Sequence, residues 1–324
     1  MAHPNYIKMH IRTVPELLRD CAEIMYQRVK NTLEDEKLEQ TQMVVMTGCG
    51  YSYAAACNGA EFIEKIAGIP ARALYSVDAS RHQSLDVLQR GADAFRRSER
   101  LRRGGRVAEG LMRFRTKGAY AVAFSGDMQS KCARAAQVTV DISTPTVNIE
   151  RGLPLRGYAA TLLAFCGVAW RIAILQGRKS EAERLAFYED LVVSADELQK
   201  TLPEIEHQVG DFARKVYQTA SVYELVGSGT GFTSAWLGRQ ELVGQAGVFG
   251  VECSAEDWLH STFFAARPET TPTVLISPPN SPARSRLEEL EGYMAYLRRP
   301  LCVMGQSISE AASVINLPIP TMSC

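Results

Sequence analysis

The feature of this chain that most constrains its fold is an internal repeat. Residues 43–78 and 222–257 align without a gap, so every matched pair of positions has the same separation along the chain. Each copy reads as an apolar run of strand length, a Gly-x-Gly turn, a helix ended by glycine and a second short strand, the pattern of a βαβ unit. Two copies indicate a duplicated domain with open parallel sheets covered on both faces. The matching positions are Gly48 and Gly227, Gly50 and Gly229, Tyr53 and Phe232, Gly59 and Gly238, Ala67-Gly68-Ile69 and Ala246-Gly247-Val248, and Asp78 and Asp257.

Apolar patterning extends this α/β organisation to the rest of the chain. An opening helix is predicted over 14–40, where apolar residues recur at helical spacing. The helical stretch that begins at residue 181 is expected to connect two domains, 1–180 and 181–324. Further strands are predicted at 119–124, 138–142, 273–276 and 301–304, and further helices at 107–116, 155–175, 181–202, 206–218 and 283–297.

Composition excludes several classes of protein. In 324 residues, 36 Lys and Arg balance 36 Asp and Glu, so no overall positive field favours nucleic acid. The longest apolar run, residues 158–170, is shorter than the roughly 20 residues of a membrane span, and the N-terminus lacks the apolar run of a signal peptide. The 8 cysteines include no Cys-x-x-Cys pair, and no histidine pair has metal-ligand spacing. We therefore expect a cytoplasmic protein with no metal, no cofactor, no nucleic acid and no membrane partner.

The two Gly-x-Gly turns are the first candidates for a binding site. Such a turn between a strand and a helix can present backbone N–H groups to an anion such as a phosphate. A dinucleotide site requires a third glycine three residues on, and here Tyr53 and Phe232 occupy those positions. The glycines alone also fit ordinary tight turns, but Ser52 in the first copy and Thr230 in the second favour a ligand.

The first repeat carries a family resemblance. The stretch GCGYSYAAACNGAEFIEKIAGIPARALYSVDASR resembles the opening of a sugar isomerase (SIS) domain. The double copy resembles the isomerase half of glucosamine-6-phosphate synthase, the fructosamine-phosphate deglycases and the amino-sugar-phosphate isomerases, over nearly the whole chain. The resemblance implies two flavodoxin-like, three-layer α/β/α domains, a homodimer, and a phosphosugar bound between the sheets.

The resemblance also implies which turn residues contact the ligand. Ser52 falls on the serine of the family that contacts the sugar. Gly50 in the same turn, and Gly229 and Thr230 in the second turn, are the accompanying candidates for substrate binding. The ligand is expected at the carboxyl ends of the parallel strands, where open α/β sheets bind their ligands.

Three further residues receive candidate roles from the resemblance. The stretch ECSAEDWLHS places His260 on the family's ring-opening histidine, and an unperturbed pKa near 6.5 suits a group that takes and returns a proton. An alternative is an ordinary histidine at a helix end, where a cation is favoured. The segment TVNIERGLPLRGY places Arg156 on a lysine of the family and Glu150 near the cleft.

The family's catalytic glutamate is missing from its expected position. Counting back from His260 along the family's spacing, that position is Gly244 in this chain, and glycine cannot act as a base. Glu241, about one helical turn earlier, is the candidate replacement, although a shift of about 5.4 Å is large for proton transfer. Glu256 and Asp257 are further candidates, and acidic residues in that position also fit helix caps.

The family's Ser-x-Ser-Gly-x-Thr phosphate loop is replaced by AFRRSERLRRGGR at 94–106. No alternating apolar strand is left there, so the first sheet is predicted to lack a member. A compensated reading-frame slip is an alternative, because one legal set of codons for 96–103, read one base later, spells Val-Gly-Val-Ser-Val-Ser-Gly. The second domain is also expected to be C-terminally truncated, since the chain stops before the family's lysine-bearing tail.

These residues leave two main functional hypotheses. The first is an aldose–ketose isomerase or deglycase that acts on an amino-sugar or fructosamine phosphate, with His260 opening the ring and Glu241 as the candidate base. The second is a noncatalytic phosphosugar-binding paralogue that kept the fold and lost the base at Gly244. A nucleic-acid binder based on the arginine run is a third, less favoured hypothesis.

Overall fold

The computed structural model describes residues 5–84, 92–97, 105–149, 154–220, 222–309 and 314–317. The chain divides into two compact units at Ala195–Asp196. Each unit contains a sheet whose described strand pairs are all parallel, with helices between the strands, so the predicted α/β class is confirmed.

The first unit is assembled on a five-stranded sheet. Its elements are α1 (Tyr6–Arg12), α2 (Val14–Thr32), α3 (Asp35–Glu39), β1 (Met43–Gly48), α4 (Tyr51–Phe62), β2 (Ala71–Tyr75), β3 (Ala92–Arg97), α5 (Gly105–Arg115), β4 (Ala121–Ser125), α6 (Lys131–Ala135), β5 (Val138–Asp141) and α7 (Leu155–Leu175). The strands lie in the order β2-β1-β3-β4-β5. The order reverses direction beside β1, which makes its carboxyl end a natural ligand position.

Strand β3 shows that the prediction of a missing strand in the first sheet was wrong. It pairs with β1 on one side and with β4 on the other, in the middle of the sheet. Neighbours on both sides decide strand formation here, because β propensity depends more on sheet context than on the segment's own residues. The rest of the arginine-rich run, 98–104, lies outside the described residues.

Helix α7 forms the centre of the first core, and its predicted bounds are confirmed. Phe165 and Trp170 are buried on it, and it packs against α2 and α4. By length and composition alone this helix could cross a membrane. However, 72% of its most apolar window is buried inside the protein, which is the environment of a core helix.

The second unit is assembled on another five-stranded sheet. After α8 (Glu181–Val216), its elements are β6 (Tyr223–Gly227), α9 (Thr230–Glu241), β7 (Gly250–Ser254), α10 (Ala255–His260), β8 (Thr273–Ser277), α11 (Arg284–Tyr296), β9 (Leu301–Gly305) and β10 (Val314–Leu317). The strands lie in the order β10-β9-β8-β6-β7.

Helix α8 is continuous where two helices were predicted. The prediction ended one helix at residue 202 and began a second at residue 206, and between them stands Pro203, which lacks a backbone donor. The helix runs through Pro203 instead, and farther along it Phe212 and Val216 pack against Cys302 of β9. This packing offsets the backbone hydrogen bond that Pro203 cannot donate.

The two units repeat the same topology, since β1 to β5 correspond in order to β6 to β10. The same alignment that matches the two sequence repeats also relates α4 to α9 and β2 to β7. Both helices continue as one π-helical turn, Ile63–Ala67 and Leu242–Ala246. Each ends at a left-handed glycine with φ 66°, Gly68 and Gly247.

Candidate functional site

The turn Gly48–Ser52 joins the carboxyl end of β1 to α4. Gly50 has φ 54° and ψ −133°, a conformation that favours glycine. A Cβ atom on Gly48 would lie 2.5 Å from the main-chain carbon of Ser52, so only glycine fits there. The amides of Ser52 and Tyr53 donate to carbonyl oxygens within the turn at 3.1 and 2.9 Å. The turn is therefore held by its own backbone.

Ser52 presents a buried hydroxyl group at this turn. It is 2% exposed, and its Oγ atom has no hydrogen-bond partner in the part of the chain that the structure describes. The buried Oγ1 of Thr47, on β1, is in the same situation. A buried hydroxyl without a partner costs about 1–3 kcal/mol, so a ligand or an ordered water that bonds to it is favoured. Both groups lie at the carboxyl end of β1, which marks this edge as the candidate site.

The turn after β6 has the same backbone and different side chains. Gly229 has φ 56° and ψ −127°, and a Cβ atom on Gly227 would lie 2.4 Å from the main-chain carbon of Gly231. Gly231 stands at the position that corresponds to Ser52, so this turn has no equivalent hydroxyl. Thr230 is half-buried at the start of α9. The predicted residues Gly229 and Thr230 thus lie together at the matching edge of the second sheet.

A serine cluster at the end of β4 was missed by the sequence analysis. The buried Ser125 donates through Oγ to the carbonyl oxygen of Asp127 at 2.8 Å and accepts from its amide at 3.0 Å. Its Oγ is 3.3 Å from Oγ of Ser130, which caps α6. The signal was a Ser-Gly-Asp turn after an apolar strand, followed by an N-cap serine. This cluster lies on the same carboxyl edge of the first sheet as Ser52.

Arg156, in the first turn of α7, makes structural contacts. It is 9% exposed, and its guanidinium donates to the carbonyl oxygens of Thr13 at 3.1 Å and Pro145 at 3.2 Å. These bonds tie the start of α2 to the loop after β5. Its contact with a ligand stays a prediction. Glu150 lies outside the described residues.

His10, which the sequence analysis did not single out, lies close to the charge of Arg156. It is 7% exposed on α1, and neither ring nitrogen has a hydrogen-bond partner among the described residues. Burial, and then the positive charge of Arg156, lower the pKa of His10. The imidazole is therefore held in its neutral form.

His260 ends α10 on the surface, with 73% of its side chain exposed. Its Nε2 atom lies 3.3 Å from Oε1 of Glu256, and Oε2 of Glu256 lies 3.2 Å from Nε of Arg286. This is the geometry of a surface charge cluster at a helix end. The ring-opening role of His260 stays a prediction.

Glu241 and Gly244 lie at the end of α9 and in the π-helical turn that follows. Glu241 is half-buried, and its Oε2 atom is buried without a partner among the described residues. Gly244 is exposed, and a Cβ atom there would meet no atom within 4 Å. Within the described ranges, no hydrogen bond joins Glu241 to His260. In the same ranges, no three His, Cys, Asp or Glu side chains gather as a metal site.

A buried ion pair that the sequence analysis missed anchors the helix that carries His260. Oε2 of Glu224 accepts from Nη1 of Arg299 at 2.7 Å, from Nε1 of Trp258 at 2.9 Å and from Oγ1 of Thr273 at 3.0 Å. Burial raises the pKa of the Glu224 carboxyl, and the Arg299 charge opposes this rise. Because Trp258 lies on α10, the network fixes the helix on which His260 stands.

Comparison with known proteins gives matches in structure. No family model and no curated protein matches the sequence. The C-terminal domain of glucosamine-fructose-6-phosphate aminotransferase from Francisella tularensis has a TM-score of 0.80 at 14% identity, over 99% of this chain and 91% of that chain. A candidate phosphosugar isomerase from Clostridium difficile 630 has a TM-score of 0.77 at 11% identity, over 95% and 84%. A candidate sugar-binding protein from Salmonella typhimurium LT2 has a TM-score of 0.72 at 15% identity, over 96% and 92%.

These matches establish the fold. Their identities of 11–15% are too low to transfer a substrate or a reaction. The chain has the flavodoxin-like parallel architecture of sugar isomerase domains, and the resemblance seen in the sequence is confirmed at the level of the fold.

Proposed function

We propose that this chain binds a sugar phosphate at the carboxyl edge of its first sheet. The observation that carries the proposal is the buried hydroxyl of Ser52, which has no partner among the described residues. Thr47 and the serines of the β4 cluster add further hydroxyl groups along the same edge. Hydroxyl groups both donate and accept, which suits a polyhydroxylated ligand. The similar fold of an aminotransferase domain named for fructose-6-phosphate supports this ligand class.

The proposed reaction is aldose–ketose isomerisation, or deglycation of a fructosamine phosphate. In this reaction His260 takes and returns the proton that opens the sugar ring, and Glu241 is the candidate base over the open chain. Arg156 and Glu150 are proposed as further contacts to the ligand. The protein is further proposed to act as a cytoplasmic homodimer.

The second candidate function is phosphosugar binding without catalysis. The open space around Gly244 favours it, because no side chain stands where the family resemblance requires a carboxylate. The surface position of His260, beside Glu256, favours it too. In this case the binding site at the carboxyl edge of the first sheet is retained, and the protein senses or holds a sugar phosphate.

Ligand binding is tested by calorimetric titration with fructose-6-phosphate and with a fructosamine phosphate. We expect Ser52→Ala to weaken binding at least about tenfold, because a hydroxyl that bonds the ligand is removed. Its free energy of unfolding stays the same or rises, since that hydroxyl has no partner to lose among the described residues. The matched control is Ser234→Ala, whose hydroxyl is exposed and donates to the carbonyl oxygen of Thr230 at 3.0 Å. Equal binding by wild type and Ser52→Ala, or no binding of either compound, contradicts the proposal.

Catalysis is tested on the same two compounds. If the wild type turns over either compound and His260→Ala abolishes this turnover, the enzyme hypothesis is supported and the binding-only alternative is removed. Tight binding with no turnover supports that alternative. His207→Ala is the control, since His207 is also an exposed helical histidine beside a carboxylate, that of Asp211.

A further inference from the structure

The loop that follows β4 stands level with the first Gly-x-Gly turn. Thr47 of β1 pairs in register with Arg96 of β3, and Arg96 pairs in register with Ala123 of β4. Ser125, at the end of β4, is therefore level with Cys49 in the turn. Neighbouring strands lie about 4.8 Å apart, so about 10 Å separates the ends of β1 and β4. A hexose phosphate is of similar length and reaches from the turn to the loop after β4.

The crevice for a ligand opens between β1 and β3. Strand β1 leads through α4 to β2, and β3 leads through α5 to β4, so the chain leaves this point of the sheet in opposite directions. The proposed ligand contacts, Ser52 and the serines of the β4 loop, lie on its two sides. The carboxylate of Asp127 belongs to the β4 loop, whereas Asp78 follows β2, on the far side of β1.

The serines of the β4 loop hold the backbone of Asp127 in place. Its amide donates to Oγ of the buried Ser125 at 3.0 Å, and its carbonyl oxygen accepts from that Oγ at 2.8 Å and from the amide of Ser130 at 3.1 Å. Its Oδ1 atom accepts from the amide of Gln129 at 2.9 Å, which fixes the orientation of the carboxylate. Because the side chain is already oriented, a bond from a ligand to it costs little additional conformational entropy.

The second oxygen of this carboxylate is available to a ligand. Asp127 is exposed, and within the described residues no hydrogen bond or ion pair engages its Oδ2 atom. Lys131 and Arg134 follow on α6 without forming an ion pair with it, and Arg134 donates instead to a backbone carbonyl oxygen at 2.7 Å. By contrast, the carboxylate of Asp141, at the end of β5, accepts from the amide and the hydroxyl group of Ser143 at 2.8 and 2.9 Å.

We propose that Asp127 determines the specificity of the proposed sugar-phosphate site by pairing with an ammonium group on the sugar. A carboxylate repels a phosphate, so the sugar end of the ligand faces the β4 loop and the phosphate lies away from it. A carboxylate also bonds an ammonium group more strongly than a hydroxyl group. An amino-sugar phosphate is therefore favoured over the matching neutral sugar phosphate. This inference rests on the proposed function, because it requires a ligand at the same edge of the sheet.

The test compares glucosamine-6-phosphate with glucose-6-phosphate in calorimetric titrations of the full chain. The two compounds differ at C2, where the first carries an amine, largely protonated at about pH 7, and the second a hydroxyl group. We expect the wild type to bind the amino sugar at least about fivefold more tightly, because its ammonium group pairs with Asp127. Asp127→Asn keeps the acceptor for Gln129 and should reduce this preference to within about twofold. Asp78→Asn, which removes an equal charge beyond β1, is the control and should keep the preference.

Failure of this inference is distinguishable from failure of the proposed function. Equal binding of the two compounds by the wild type, or a preference that Asp127→Asn retains, would overturn the role of Asp127 and leave sugar-phosphate binding in place. Loss of the preference in Asp78→Asn would also overturn it, since the overall charge of the edge would then be the cause. If Asp127→Asn binds neither compound, Asp127→Glu decides, because it keeps the charge: a retained preference supports the role, and an abolished one contradicts it. Binding of neither compound by the wild type would contradict the proposed function, and this inference with it.

Discussion

The Gly-x-Gly turns of the two units have the same backbone and bury different groups. The φ angles of Gly50 and Gly229 are 54° and 56°, so the chain takes the same path in both turns. The first turn buries the hydroxyl of Ser52, whereas the second has Gly231 at that position. What differs between the turns is therefore the group available to a ligand, since the backbone is shared by both.

The helices that follow the turns show which residues the fold requires. A Cβ atom on Gly59 would lie 2.6 Å from Sδ of Met46, and one on Gly238 would lie 2.6 Å from Cδ2 of Leu225. Met46 and Leu225 also occupy matching positions of the repeat, so the same helix–strand approach occurs twice. Glycines that permit close packing are repeated in both units, and Ser52 is not. This contrast supports a functional origin for Ser52.

The largest expected effect comes from variants that disrupt the turn backbone shared by the two units. Gly48→Ala and Gly227→Ala each place a Cβ atom within 2.5 Å of main-chain atoms that cannot move without deforming the turn. We expect each to lower the free energy of unfolding by roughly 3 kcal/mol or more, measured by urea denaturation. Gly292→Ala, where a Cβ meets no atom within 4 Å, is the control and should be neutral or stabilising. Full tolerance of either turn variant would show that the shared backbone is not required.

A smaller expected effect is a pH dependence of the free energy of unfolding, which differs between the two units. His10 in the first unit is buried without a partner among the described residues, whereas Glu224 in the second unit is paired with Arg299. Because the folded-state pKa of His10 lies below its usual value, the unfolded chain takes up the proton first. The stability from neutral His10 is thus complete above pH about 6.5 and falls below it, by at most about 1.4 kcal/mol per pH unit.

Hydrogen exchange of the α1 amides at pH 7 and pH 5, corrected for the intrinsic exchange rate at each pH, checks this expectation. Protection of α1 should fall at pH 5 in wild type and change less in His10→Leu. His207→Leu is the control, because His207 is 70% exposed. An identical acid response in wild type and His10→Leu would assign the effect to another group.

The smallest expected effect on the free energy of unfolding comes from a variant that tests the missing catalytic carboxylate. Gly244 corresponds to Lys65 in the first unit, where an exposed side chain is already present. Gly244→Glu should therefore change the free energy of unfolding by no more than about 0.5 kcal/mol. We expect its turnover of fructose-6-phosphate to exceed that of wild type, because a carboxylate is restored. Gln245→Glu is the control, and equal turnover by both variants would show that a missing base at Gly244 is not the limitation.

The sequence predicted the elements whose patterns are local. The repeat predicted both turns and their helices, and the apolar period of residues 155–175 predicted α7 with its observed bounds. Strand β3 was missed because its neighbours in the sheet, and not its own residues, determine it. Helix α8 continues through Pro203 because tertiary packing offsets one lost hydrogen bond.

The site was predictable only in part. The motif around Ser52 is visible in the sequence, but the lack of a partner for its hydroxyl among the described residues is a property of burial. Glu224 and Arg299 are far apart in the sequence, and no local pattern indicates that they pair.

Hydrogen exchange with and without fructose-6-phosphate, resolved for the two turns, tests the central claim most directly. The claim is that the first Gly-x-Gly turn binds the ligand through Ser52 and that the second turn, which has Gly231 at that position, does not. We predict slower exchange of amides in residues 48–53 when the ligand is bound, and unchanged exchange in residues 227–232. Protection of 227–232 alone, or of neither turn at a concentration that saturates binding, would contradict the claim.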